Sequence, residues 1–203
     1  DKKIETSEIL TVFQKKDERE LISKYILDFI LKILCIKIYE QKPLPLDNVF
    51  YQKCSILNSF VIPSQFNLPK EFEEKDIFKD IVYYFSKIEE HRTPSAVYKE
   101  IGNAINLIYS MFKLFLNKTE VDMDDILNVI IYCLILTKSK RMIFNIYFCK
   151  FFLMEGEVNG NLSFNISQIE SSINMINKIN AQYLKLSDEE FNEKCSKFKF
   201  INS

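Results

Sequence analysis

Residues able to do chemistry are few in this chain, and they gather at one point. Asp122, Asp124 and Asp125 stand directly before the apolar run Ile126-Leu127-Asn128-Val129-Ile130-Ile131-Tyr132, and no basic residue follows until Lys138. Carboxylates at the head of an apolar segment can cap a helix and favour its dipole. They can also hold a negative charge rigidly at the helix end. Other chemistry lacks material. His91 is the single histidine, which leaves nothing from which to build a His-based zinc site or a catalytic triad. Cys35, Cys54, Cys133, Cys149 and Cys195 are odd in number and form no Cys-x-x-Cys pair, as expected of buried, reduced thiols. No Gly-rich phosphate loop occurs, and no metal site is expected.

The elements that must position this acidic cluster are helical. Apolar residues recur at helical spacing almost throughout. Leu21, Ile22, Tyr25, Ile26, Phe29, Ile30, Ile33 and Leu34 form a broad stripe between Asp17 and Glu40, ended by Pro43 and Pro45. Asp47 is placed to cap the next short helix, which carries Val49, Phe50, Cys54, Ile56 and Leu57. A helix from Glu74 to Glu90 follows, with Ile77, Ile81, Tyr84, Phe85 and Ile88 inward. Thr93-Pro94 reads as N-cap and first helical residue of a long helix to Phe115 or Leu116. Its inward face is Val97, Ile101, Ala104, Ile105, Ile108 and Met111. Further helices are expected over Asp124 to Thr137, Met142 to Phe152 and Ile166 to Ile179. Ser187-Asp188-Glu189-Glu190 has the character of a capping box. Lys138-Ser139-Lys140-Arg141 reads as a solvated turn, His91 as a helix-end residue, and Ile131, Tyr132 and Tyr147 as packing residues.

Composition agrees with an all-α fold. Only 3 Gly and 5 Pro occur in 203 residues, too few for the repeated tight turns of a β-rich fold. Hydrophobic residues make up 47%, enough for a substantial core. A net charge of -1 offers no basic excess for nucleic acid or for non-specific attraction to anionic membrane. The uncharged apolar run Ile126 to Thr137 is far short of the roughly 20 residues a membrane span needs. The expectation is a single compact domain over 1–203 with roughly seven to nine helices. An N-terminal helical layer would occupy 1–90 and a second half 91–194. Nothing suggests an oligomer.

The order of these features resembles the VPS-nine domain family, a helical module that drives nucleotide exchange on early-endosomal Rab GTPases. The resemblance runs from about Leu21 to Phe191. Leu21 to Tyr39 is similar to the family's first helix, and Asp47, Leu57 and the loop to Leu68 to the short elements after it. Thr93-Pro94 resembles its Ser/Thr-Pro, with Val97 where the family usually has Lys. The family's core motif is two Asp, three further residues ending in Pro, and an apolar helix with a Tyr. Asp124-Asp125-Ile126-Leu127-Asn128 stands in its place, with Asn128 for the Pro and Tyr132 for the Tyr. Met142 and Asn145-Ile146-Tyr147-Phe148 resemble the next helix, and Gly156-Glu157 matches a Gly-Glu. Phe164 and Ser167 fall at the family's Tyr and Thr, after a loop lengthened by Val158 to Ser163. Ile179 to Phe191 is very close to the family's closing segment.

The resemblance implies a guanine nucleotide exchange factor acting on a Rab-five-type GTPase. Such a protein is a regulator with no chemistry of its own and needs no cofactor. Asp124 would be an acidic finger pushed toward the GTPase phosphates and P-loop Lys. Asn128, Phe164 and Ser167 would touch the partner's switch surface, in a groove between the helix from Asp124 and the helix from Phe164. The implied location is cytoplasmic, peripheral to endosomal membranes. The alternative is a non-catalytic Rab-binding or scaffold module of the same fold, favoured by Asn128, Phe164 and Val97.

Overall fold

In this computed structural model the described residues are 19, 22, 23, 25, 26, 29, 30, 33, 44–73, 75–152 and 160–201. They form helices and turns, with no strand among them. The chain divides into two compact units, residues 1–42 and 43–203. In the first unit the described residues between 19 and 33 are helical, and Ile22, Tyr25, Ile26, Phe29, Ile30 and Ile33 are exposed. Leu21, Leu34 and Cys35 lie outside the described residues, as does Gly156-Glu157.

The second unit contains α1 (Pro45–Asn58), α2 (Lys79–Lys87), α3 (Pro94–Leu116), α4 (Met123–Thr137), α5 (Met142–Phe152), α6 (Gly160–Lys178) and α7 (Asp188–Ile201). Three short 3-10 turns, Pro63–Phe66, Lys70–Phe72 and Lys75–Phe78, lead from α1 to α2. The expected helix from Glu74 is therefore a 3-10 turn running into a shorter α-helix. Ile81, Phe85 and Ile88 are buried as the spacing requires, while Tyr84 and Ile77 are only partly buried. α3 follows the sequence closely: Pro94 opens it, and Val97, Ile101, Ala104, Ile105, Ile108 and Met111 all face the core. Asn117 ends it in a left-handed conformation, which an Asn tolerates.

α4 is the central helix. Its core neighbours are α1, α2, α3 and α6. Every residue from Val129 to Ile135 is buried, as expected of a helix apolar all round. Tyr132 is fully buried between two rings, 5.0 Å from Phe78 and 5.5 Å from Phe66, centre to centre. Its hydroxyl has no hydrogen-bond partner, and burial raises it to about 12.

Three departures from the sequence reading have clear physical causes. Asp47 is not the N-cap residue of its own helix, because that helix already begins at Pro45 with Leu44 as N-cap. Instead, its Oδ1 accepts the amides of Ile143 (2.9 Å) and Phe144 (3.3 Å), so it caps α5, 96 residues further along the chain. The stretch 138–141 is more than a solvated turn. Lys138 takes a left-handed conformation, Ser139 is buried, and the Glu89 carboxylate accepts Ser139 Oγ (2.5 Å) and the Lys140 and Arg141 amides. Two distant carboxylates thus satisfy amides around the start of α5, and Ser139 Oγ within the turn also accepts the Arg141 amide at 3.3 Å. Finally, α6 starts at Gly160, so the loop expected over Val158 to Ser163 gives way to helix by Gly160. Ser187 does act as the cap of α7, accepting the Glu190 amide at 3.1 Å.

Candidate functional site

Asp122 is the N-cap residue of α4, with extended backbone and no side-chain cap bond. Asp124 and Asp125 occupy the first turn. Their side chains have different fates. Asp125 is half-buried and pairs with Lys118 at 3.2 Å, and the same Lys118 Nζ lies 5.9 Å above the Phe112 ring. Asp124 is exposed, and no described residue ion-pairs or hydrogen-bonds with its carboxylate. Lys118 is spent on the neighbour. What remains is an unneutralised carboxylate on the positive end of a rigid, buried helix.

The remaining candidates take the following places. Asn128 is half-buried, one turn further along α4 from Asp124. Phe164 lies in the second turn of α6 and is 42% exposed, so it is not a core ring. Ser167 lies one turn later on the same helix, also exposed. Its Oγ donates to the Ser163 carbonyl at 3.0 Å, the back-bond of a mid-helix Ser and not an N-cap. α4 and α6 pack against one another, so all four residues stand on two adjacent helices. Val97, in contrast, is fully buried. Its difference from the family's Lys is a matter of packing inside α3 and does not touch this surface.

Sequence reasoning misplaced Tyr147. It is 51% exposed on α5, and with Ile143, Ile146, Glu170, Ile173 and Asn174 it lines a depression between α5 and α6. The apolar residues around it gave a packing signal that its own position does not share. Lys150 bridges the same two helices through Glu170 at 2.8 Å. His91 lies just after α2, with Nε2 2.9 Å from Glu100 Oε1 of α3. Cys54, Cys133 and Cys149 are buried, and burial raises each thiol above its ordinary range. They are inert apolar filling. Among the described residues no group of three or more His, Cys, Asp or Glu could hold a metal, and no helix is long and apolar enough to cross a membrane.

Comparison with known families adds the decisive observation. The family model of the Vacuolar sorting protein 9 (VPS9) domain matches residues 78–181, slightly more than half of the chain, from the end of the last 3-10 turn through α6. No curated protein matches the chain. The matched residues contain Asp124, Asn128, Phe164 and Ser167. The all-α architecture is the one this family requires. The chain belongs to the VPS9 domain family, the guanine nucleotide exchange domains of Rab-five-type GTPases.

Proposed function

We propose that this domain promotes GDP release from an early-endosomal, Rab-five-type GTPase, and that Asp124 is the acidic finger that does so. A small GTPase holds its nucleotide through a P-loop Lys, backbone amides and Mg²⁺. A carboxylate brought to that site repels the phosphate oxygens and offers the Lys a replacement partner. No proton moves and no covalent intermediate forms. The exchanger works because it binds the nucleotide-free state more tightly than the loaded one.

The observation that carries this reading is the division of labour at the start of α4. Lys118 neutralises Asp125 and leaves Asp124 exposed and unpartnered. A structural cap would show the reverse, with the side chain folded back onto its own amides. Asn128, Phe164 and Ser167 would form the docking contacts on α4 and α6, within an exchange half at 91–194, and residues 1–90 would form an N-terminal helical layer. The domain would act as a monomer on the cytoplasmic side, peripheral to endosomal membranes.

The test is a panel of Rab GTPases loaded with fluorescent GDP. Acceleration confined to the early-endosomal members supports the reading. Tight binding to one of them with no acceleration would favour a docking module instead. The Asn128 and Phe164 substitutions favour that second reading, because they remove a rigid Pro surface and a hydroxyl from the contact.

A further inference from the structure

α1 lies outside the residues that match the family, yet two of its side chains end on helices inside or at the edge of the matched segment. Asp47 Oδ1 accepts the amides of Ile143 and Phe144 at the N-terminus of α5. Lys53 Nζ donates to the carbonyl of Ile179, immediately after the last residue of α6, at 2.7 Å. Each charge has the sign that suits the helix end it meets, negative on a positive N-terminus and positive on a negative C-terminus.

The spacing explains how one helix serves both ends. Asp47 and Lys53 are six residues apart, about 9 Å along a helix that rises about 1.5 Å per residue. Two packed helices lie about 8–10 Å apart. α5 and α6 do pack together, and α1 contacts both. The start of α5 and the end of α6 therefore lie at the same end of the pair, with α1 laid across them. Downstream the same arrangement continues: Gln65 Nε2 donates to the Leu184 carbonyl at 3.3 Å, and Lys185 donates to Asn67 at 2.9 Å.

We infer that α1 is a brace for the GTPase-docking surface, with Lys53 and Asp47 as positioning residues that fix α6 and α5 at their common end. The inference rests on the exchange reading above, since it concerns the helix that presents Phe164 and Ser167. Neither residue is expected to touch the GTPase. Lys53 is part-buried under the chain that follows α6, and Asp47 is fully buried. Asp124 is carried by α4, which the two brace contacts do not reach. Loss of the brace should therefore weaken docking and leave the release step intact.

The test titrates the full chain against a fixed amount of GDP-loaded Rab-five-type GTPase and reads the half-saturating concentration and the maximal release rate separately. Lys53→Met keeps the apolar stem and removes the donor, and it should raise the half-saturating concentration about tenfold, with the maximal rate unchanged. Lys53→Arg restores a cation at the α6 terminus and should return the value toward wild type. Circular dichroism at the assay temperature confirms that each variant is folded; if Lys53→Met is not, Lys53→Gln serves in its place with the same two outcomes. An unchanged half-saturating concentration, a loss confined to the maximal rate, or an Arg variant as weak as the Met variant would overturn the brace while leaving the exchange reading standing. No release with the wild type would remove the exchange reading, and the brace with it.

Discussion

Asp124 and Asp125 are adjacent and identical in type, and only their surroundings assign them different work. Lys118, seven residues before Asp125, selects one of the two. That choice could not be read from the sequence, where either carboxylate could cap the helix or meet the Lys. Phe164 is a second case. Its place in the motif was legible, and its exposure follows from its position on the outer side of α6. Restoring the hydroxyl with Phe164→Tyr should add about one net hydrogen bond to the partner, on the order of 1 kcal/mol, or about fivefold in release efficiency at low exchanger concentration. Stopped-flow release rates for the two proteins check this.

Asp47 shows the residue scale at its least legible. Its type suggested a local cap, and its actual partners lie 96 residues away. Burial pushes its carboxyl above the usual Asp range, outweighing the backbone groups of Phe144, Ile143 and Leu44 and the charge of Arg141, which favour ionisation. The folded protein thus binds this proton more tightly than the unfolded chain does. The stability it contributes is fully present below the ordinary Asp value of about 3.9 and is lost as pH rises through the folded value. Asp47→Asn keeps an acceptor oxygen and removes the titration. The melting temperature of wild type minus that of Asp47→Asn should be greatest near the acid end and fall toward neutrality. A difference flat with pH would contradict the raised carboxyl.

At the scale of elements, helices that bury one regular face were legible almost to the residue. α3 and α5 begin and end where Thr93-Pro94 and the apolar pattern place them. The failures came where local pattern and long-range packing compete. The start of α6 was expected at Ile166, after a loop over Val158 to Ser163 placed by the family resemblance, yet the helix begins at Gly160. The 75–78 stretch tightened into a 3-10 turn that brings Phe78 onto Tyr132. The turn between α4 and α5 carries visible strain, since Lys138 has a φ of 50° in the left-handed region. An L-residue there costs about 1–2 kcal/mol relative to a helical conformation. Lys138→Gly should stabilise the domain by about 1 kcal/mol once the greater freedom of Gly in the unfolded chain is deducted. Chemical denaturation of the two proteins measures the difference. Because Lys138 is at the far end of α4 from Asp124, release rates should not change.

For the whole molecule, the fold class followed from composition and periodicity, and the family from the order of its motifs. What neither supplied was the way α1 and the 3-10 turns hold α5, α6 and the segment after α6 from outside the matched region. Those contacts join residues more than 90 positions apart, and a single sequence carries no signal of such pairings. The arrangement gives an exchange factor what it needs: a buried central helix, with the free carboxylate of Asp124 at its exposed end. Differential binding of the empty GTPase requires a firm mount, because a finger able to retreat would not displace the phosphates.

The most direct measurement is release of fluorescent GDP from a Rab-five-type GTPase, with the wild type and with Asp124→Ala side by side. Removing the finger should lower the maximal release rate by at least about tenfold, with binding of the GTPase retained and the melting temperature little changed, since Asp124 is exposed and no described residue pairs with its carboxylate. An Asp124→Ala variant that releases GDP as fast as the wild type would show that the exposed carboxylate is not the group that empties the site.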